Sequence, residues 1–239
     1  MTALSWIDDS NDDSPFPAVT NAMTHPNGLL AAGGTLHPRR LIAAYRQGIF
    51  PWYSVGQPIL WWSPDPRWVL YPDKLKISRS LRKTMHKGQY HATMDAIFPQ
   101  VVKECAAPRV GASGTWITLG MVRAYSTLHQ LGFAHSVEVW EGDVLVGGLY
   151  GVSLGRIFFG ESMFSRRSDA SKVGFVHLLH QLRRWGFAVV DCQMHSEHLQ
   201  RFGAEAIHRN AFVRLLDQHA DAPEPPNPWR FDVGLTVSE

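Results

Sequence analysis

His135-Ser-Val-Glu-Val-Trp140, Glu141-Gly-Asp143 and Val144-Leu-Val-Gly-Gly-Leu-Tyr-Gly-Val-Ser-Leu154 form the stretch on which the fold is read. The first segment alternates apolar and polar residues as a half-buried strand does, Glu-Gly-Asp turns, and the long apolar segment runs back. A third strand, Arg156-Ile-Phe-Phe-Gly-Glu-Ser-Met-Phe164, follows Gly155. Beyond it the pattern predicts a helix over residues 170–185 that stops at Gly186. Phe187-Ala-Val-Val-Asp-Cys192 reads as a short buried strand, and residues 196–203 as a short helix closed by Gly203.

Upstream, helices are predicted over residues 77–87 and 95–105. A third is capped by Thr118 and carries Met121, Ala124, Tyr125, Leu128 and Leu131 on one face. The resulting order of helix, three strands, helix, strand and helix predicts an α+β domain with a mixed, largely antiparallel sheet. The first 65 residues differ, being rich in Pro and Gly around one helix that starts near Pro38 and stops at Gly48. Asp65-Pro66 is the expected boundary between a small aromatic-rich N-terminal domain (1–65) and a second domain (66–239). The acidic start, Asp8 to Asp13, is expected to be a solvated tail without a role. The Pro-rich segment from Ala222 is expected to be irregular.

The 239 residues are 45% hydrophobic and 18% charged, a globular composition that argues against disorder. Two distant cysteines, Cys105 and Cys192, exclude a disulfide scaffold and a zinc ribbon. No apolar run reaches the ~20 residues that span a bilayer, and the acidic start does not fit a signal peptide. The cytosol is therefore the expected compartment, with no membrane partner. Net charge is +2, but residues 1–65 carry three basic and five acidic side chains, so the excess of positive charge lies beyond them. There is no GxxxxGK[ST], no GxGxxG after a strand and no GxSxG. His195 and His198 have no third ligand close by, so no metal is expected.

Three strands followed by a helix resemble the acyl-CoA N-acyltransferase-like (GNAT-like) fold. Enzymes of that fold bind pyrophosphate on a glycine-rich loop opening the helix. Here the loop reads Ser165-Arg-Arg-Ser-Asp-Ala-Ser-Lys172 and has no glycine. Side chains lining it would keep backbone amides from crowding a pyrophosphate, which argues against a CoA thioester as donor.

Three constellations carry chemistry. The first is aromatic: four of the nine tryptophans (Trp52, Trp61, Trp62 and Trp68) fall within seventeen residues, with Trp116 in a later Gly-Thr-Trp. Rings on proline-stiffened loops suit the stacking of unpaired bases, while each indole singly also reads as core. The second is basic: Lys74, Lys76, Arg79, Arg82, Lys83 and Lys87, with no acid among them. Such a face suits phosphate oxygens, and it also suits plain solvation. The third is Glu161, in Gly-Glu-Ser-Met-Phe-Ser165, with Asp191 and Gln193, all where predicted strands end. A carboxylate beside an amide there can orient an amine and take its proton, or simply cap a strand.

Taken in order, these stretches resemble the leucyl/phenylalanyl-tRNA–protein transferase family. The resemblance is carried by Pro26-Asn-Gly-Leu-Leu-Ala-Ala-Gly-Gly34, Ala44-Tyr-Arg-Gln-Gly-Ile-Phe-Pro-Trp52, Pro58-Ile-Leu-Trp-Trp-Ser-Pro-Asp-Pro-Arg67 and Gly114-Thr-Trp-Ile117. It continues through Gly147-Gly-Leu-Tyr-Gly151, Gly160-Glu-Ser-Met-Phe-Ser-Arg166, Ala170-Ser-Lys172 and Asp191-Cys-Gln193, so it covers about residues 14–230. It implies a monomeric cytosolic enzyme that moves Leu, Phe or, less well, Met from aminoacyl-tRNA to the N-terminal Arg or Lys of a protein. The product would be marked for N-degron proteolysis. It also implies a small N-terminal domain on a GNAT-like domain, and no cofactor.

Residue by residue, the resemblance implies that Asp191 and its partner Gln193 are catalytic and that Glu161 fixes the acceptor's cationic end. Trp52 and Trp116 would receive the terminal adenosine and the aminoacyl end. Leu149, Phe158, Phe175 and Leu178 would form the side-chain pocket. The family has Leu and Phe where this chain has Phe175 and Leu178, an exchange of aliphatic and aromatic. Lys74 to Lys87 would face acceptor-stem phosphates. Two rivals are an acyl-CoA N-acetyltransferase and a non-catalytic tRNA-binding module.

Overall fold

A computed structural model describes residues 4–108 and 117–233 of the chain. Its first strand, β1 (Ser5–Ile7), lies parallel to β2 (Leu29–Gly33). Helix α1 (Pro38–Arg46) follows, then β3 (Phe50–Pro51) and β4 (Leu60–Trp62), giving a four-stranded sheet of order β1-β2-β4-β3. Pro38 enters at the first turn of α1, where its missing N–H is not needed, and Gly48 takes φ +72 just past the helix end.

The second sheet opens with β5 (Arg67–Leu70). After it come α2 (Arg79–His86), β6 (His91–Met94), α3 (Phe98–Ala106) and α4 (Leu119–Gln130). The central strands are β7 (Ala134–Glu141), β8 (Val144–Leu154) and β9 (Ile157–Ser165), which pair antiparallel as a meander. Helix α5 (Ala170–Arg184) leads to β10 (Val189–Gln193), α6 (Glu197–Gln200), β11 (Glu205–Ile207) and α7 (Arg209–His219). The seven strands run in the order β11-β5-β10-β9-β8-β7-β6, and only β9 and β10 are parallel. The architecture is thus α+β with a mixed, largely antiparallel sheet, as the strand order predicts.

Two apolar clusters lie on opposite faces of this sheet, so neighbours along a strand part company. Leu149 and Phe158 belong with α5, whereas Tyr150 and Phe159 belong with α3, α4 and α7. Close helix–sheet approach depends on Gly174 of α5, where an added Cβ would stand 2.7 Å from Val139 Cγ2. The feature that places the site is the parting of β9 and β10. They pair only from Ile157–Val189 to Phe159–Asp191; thereafter β9 stays with β8 and β10 turns to β5, opening a wedge.

Several expectations need correction. Helix α3 begins at Phe98, not residue 95: Pro99 occupies its first turn, and Asp95, at φ +53, accepts from Ser136 N at 2.8 Å. Leu131 is 55% exposed, because α4 ends at Gln130 and carries only Met121, Ala124, Tyr125 and Leu128 into the core. The acidic start is not a loose tail. Asp9 accepts from Gly34 N at 2.6 Å, Thr35 bonds Asp12, and the buried Arg40 donates to the carbonyls of Asn11 and Ser14. Helix α7, unread in the sequence, buries Phe212 and Leu216. The segment after Ala222 is irregular but pinned: Glu224 accepts from Gly155 N at 2.6 Å, and Trp229 stacks on His135 at 3.7 Å.

Candidate active site

Asp191 sits on β10 at the last rung shared with β9, and it is fully buried. Its two oxygens meet the guanidinium of Arg67, the first residue of β5: Nε donates to Oδ1 at 2.8 Å and Nη2 to Oδ2 at 2.6 Å. This two-point geometry is the strong form of a charge-assisted bond. Arg67 is itself sandwiched, its guanidinium carbon 4.9 Å from the Phe50 ring centre and 4.7 Å from that of Phe212. A further bond from Nη1 to Gly48 O, at 3.0 Å, ties the pair to the turn after α1.

Gln193 follows by a twist of the backbone. It takes φ +62, a left-handed conformation few residues other than glycine adopt, and the pairing with β5 shifts register there. Its N–H thereby returns to Asp191 Oδ1 at 2.9 Å, and its side-chain amide donates to Glu161 Oε1 at 3.0 Å. Strain of this kind persists where surrounding contacts hold it, and here the Asp191–Arg67 pair does so.

Glu161, on the β9 side of the wedge, is 9% exposed. Tyr45 of α1 donates to its Oε1 and Tyr125 of α4 to its Oε2, each at 2.8 Å, and the two phenol oxygens are 2.6 Å apart. Burial pushes the Glu161 carboxyl up to about 7; the phenols and Gln193 oppose that shift, while the Asp191 carboxylate adds to it. Burial also holds both phenols well above the usual tyrosine range, so they remain donors.

These groups open onto a cavity of about 360 Å³ between the parted strands. Leu149, Phe158 and Phe175 supply its apolar wall, with Glu161, Asp191 and Gln193 at its polar side. Leu178 is not among the lining residues; it is buried behind them with Val176 and Leu179. Phe175 is steadied edge-on by Phe202 at 5.2 Å. Cys192 also lines the cavity, but burial and the Asp191 carboxylate push its thiol far up, which keeps it from being a thiolate nucleophile.

Trp52 does not line this cavity. It is 36% exposed on the N-terminal sheet, packed edge-on to Trp62 at 5.5 Å, and its carbonyl accepts from Trp62 Nε1 at 2.7 Å. Its neighbour Tyr53 bonds Thr118, the cap of α4, so Trp52 stands near where the described chain resumes. Trp116 lies outside the described residues. Trp61 is core, fully buried and bonded to Gly33 O at 2.9 Å.

The six basic residues are all exposed, and only Arg79, Arg82 and Lys83 lie on α2 itself. Lys74 is paired with Glu205 at 3.0 Å. Lys76 lines a second cavity of about 560 Å³ together with Lys172, which pairs with Asp169 at 2.7 Å, and Arg201, which lies 3.8 Å from Glu197 on the same wall. Ser196 and His198 line both cavities, which are therefore contiguous. Tyr45, Tyr125 and Arg67 were not singled out in the sequence. Arg67 closes the quoted Trp-Trp-Ser-Pro-Asp-Pro-Arg string, whereas Tyr125 looked like one more apolar position of a helix.

The family described as leucyl/phenylalanyl-tRNA protein transferase matches residues 69–217, and the description of its N-terminal domain matches residues 34–65. The leucyl/phenylalanyl-tRNA–protein transferase of Stutzerimonas stutzeri (strain A1501) is 58% identical, over 95% of this chain and 99% of its own. Those of Nitrosospira multiformis and Chromobacterium violaceum are 57% and 55% identical, over 96% and 95% of this chain and 97% of each relative. Among solved structures, that of L-PGS from Bacillus licheniformis aligns over 78% of this chain and 71% of its own at 10% identity, with a TM-score of 0.41, too weak a likeness to bear on the fold. No helix among the described residues is long and apolar enough to cross a membrane. On the family match and these identities, the chain belongs to the leucyl/phenylalanyl-tRNA protein transferase family of enzymes.

Proposed function

We propose that this enzyme moves Leu or Phe, and less well Met, from the 3′ end of aminoacyl-tRNA to the N-terminal Arg or Lys of an acceptor protein. The observation that carries the reading is the wedge between β9 and β10. There an apolar wall of Leu149, Phe158 and Phe175 faces a carboxylate and an amide, Glu161 and Gln193, joined at 3.0 Å. An apolar side chain unbranched at Cβ fits such a wall, and tolerance among Leu, Phe and Met is expected because a methylene in an apolar pocket is worth only ~1–3 kcal/mol. The product, an exposed apolar N-terminus, would be a substrate for N-degron proteolysis in the cytosol.

The chemistry asks little of the protein beyond placement. An aminoacyl ester is already activated, so the acceptor's α-amine attacks its carbonyl without a covalent enzyme intermediate. The C–N bond forms, the bond from carbonyl carbon to ribose oxygen breaks, and the ribose oxygen leaves with a proton. Both oxygens of Asp191 are filled by Arg67 and the Gln193 N–H. That occupancy supports Asp191 as the residue that orients Gln193, with Gln193 and Glu161 meeting the acceptor amine.

The donor's phosphates are assigned to the contiguous cavity, where Lys76, Lys172 and Arg201 outnumber Glu197, with Arg79, Arg82 and Lys83 of α2 and Lys87 just past its end extending outward. Lys74, paired with Glu205 at 3.0 Å, and Lys172, paired with Asp169 at 2.7 Å, contribute less. Trp52 and Trp116 are assigned to the terminal adenosine and the aminoacyl end, as the resemblance implies. The same reading divides the chain at Asp65–Pro66, with one sheet on either side of that point. Incubation of the protein with [³H]leucyl-tRNA and an Arg-initiated peptide tests all of this. Label in the peptide supports transfer; tRNA retained without transfer supports a binding module; calorimetric binding of acetyl-CoA supports the thioester rival.

A further inference from the structure

Resting on that reading, the arrangement around Glu161 carries one step further. Tyr45 Oη, Tyr125 Oη and the two Glu161 oxygens form a closed ring with three contacts, of 2.8, 2.6 and 2.8 Å. Each contact is short enough to need a hydrogen. With Glu161 ionised the ring holds only the two phenolic hydrogens. If both phenols then donate to the carboxylate, their oxygens stand 2.6 Å apart with nothing between them. One more proton, on the carboxyl, completes the ring: carboxyl to one phenol, that phenol to the other, and the second phenol to the remaining carboxyl oxygen.

We propose that Glu161, held by the positioning residues Tyr45 and Tyr125, is the general base that takes the proton from the acceptor's α-ammonium before it attacks the ester. The step balances: the ammonium N–H bond breaks, its electron pair stays on nitrogen, and the proton fills the vacant position of the ring. The freed amine forms the C–N bond, its second proton leaves with the ribose oxygen, and the Glu161 proton passes to solvent once the product departs. The carboxylate that attracts the ammonium is thus the one that deprotonates it. Asp191 is unsuited to this task, because a fixed cation, Arg67, spans both its oxygens, whereas the partners of Glu161 are neutral phenols and an amide.

The charged and titratable groups facing Glu161 are Tyr45 from α1, Tyr125 from α4, Tyr150 from β8 and Asp191 from β10, with Arg67 of β5 behind Asp191. Tyr150 is fully buried and its hydroxyl has no hydrogen-bond partner among the described residues. Burial and the near carboxylate keep that phenol protonated as well. Burial places the Glu161 carboxyl at about 7, close to the ~7.7–8.0 of a free α-ammonium, which suits proton transfer between them.

Single-turnover transfer of labelled leucine to an Arg-initiated peptide at saturating acceptor, followed from pH 5.5 to 9 and corrected for ester hydrolysis, tests the step. The unaltered enzyme should reach half its maximal rate near pH 7. Tyr45→Phe and Tyr125→Phe each open the ring and remove the position that holds the transferred proton, so the rising limb should move away from that of the unaltered enzyme. Glu161→Gln should lose about 100-fold at neutral pH, with a limb at the free amine's pKa and a gap that narrows toward pH 9. A common limb for all four proteins overturns the proposal, whatever the changes in maximal rate. Absence of transfer by the unaltered enzyme refutes the functional reading itself and is thereby distinguished. Independently of the phenol variants, carbon-13 NMR of glutamate-labelled wild type should give a carboxyl signal, absent from Glu161→Gln, that titrates near neutrality. Titration of that signal in the ordinary carboxylate range also overturns the proposal.

Discussion

Arg67 and Asp191 come from strands that are neighbours in the sheet yet 124 residues apart in the chain, and they meet through two bonds of 2.8 and 2.6 Å with both side chains out of solvent. The pair fixes the backbone turn at Gln193, and Gln193 in turn holds Glu161. A chain of contacts therefore runs from the joint between the two sheets to the middle of the cavity.

Removing the cation should be severe. Arg67→Ala leaves a buried carboxylate unpaired, and a loss of about 3–5 kcal/mol in urea unfolding is expected. Arg67→Lys should recover little of it, since a point charge cannot span both oxygens. Stability of Arg67→Lys equal to wild type would contradict the two-point role.

Asp191→Asn keeps the shape but disturbs the hold on Gln193. Transfer kcat should fall about 100-fold, as small misplacements of reacting groups do, with the KM for leucyl-tRNA changed only a few-fold. A variant that transfers at wild-type rates would remove Asp191 from the mechanism.

The pocket residues should separate into two kinds. Phe175 lines the cavity, so Phe175→Leu should change the ratio of leucine to phenylalanine transfer by about 10-fold. Leu178 is buried behind the wall; Leu178→Ala should cost about 2–5 kcal/mol of stability while leaving that ratio alone. Competition between the two charged tRNAs, alongside thermal unfolding, distinguishes these outcomes.

Stability should also report on Glu161. Its folded carboxyl is raised from 4.5 to about 7, so the folded state holds its proton more tightly than the unfolded chain. Wild-type stability should fall as pH rises from about 4.5 through 7, by at most roughly 3 kcal/mol from this group. Glu161→Gln has no such proton to lose. It should be the more stable protein at pH 8, with the difference shrinking toward pH 5.

Much of this was legible in the sequence, for identifiable reasons. Alternation in residues 135–140, an obvious turn and a long return strand are local signals, and so is Thr118, whose side chain accepts from Met121 N as a helix cap should. Glu161, Asp191 and Gln193 could be picked out because polar residues stood at the ends of apolar strands. The ring of Tyr45, Tyr125 and Glu161 was not legible, since it joins residues up to 116 positions apart. Tyr125 keeps helical spacing with Leu128 whether its hydroxyl is idle or bonded. Strands β5, β6 and β11, of three or four residues each, are too short to show a period and are held by pairing with distant partners. The acidic start misled for the opposite reason: its charge suggested solvent, while its backbone and Asp9 are used by β2 and the Gly34 turn.

The central claim is that the esterified amino acid sits in the wedge between β9 and β10. A crystal structure of the enzyme with a 3′-amide-linked leucyl adenosine, which cannot be cleaved as an ester, tests it most directly. The account predicts the leucyl side chain against Leu149, Phe158 and Phe175, with its carbonyl facing Gln193 and Glu161. Density for the compound elsewhere on the protein, with that cavity empty, would contradict it.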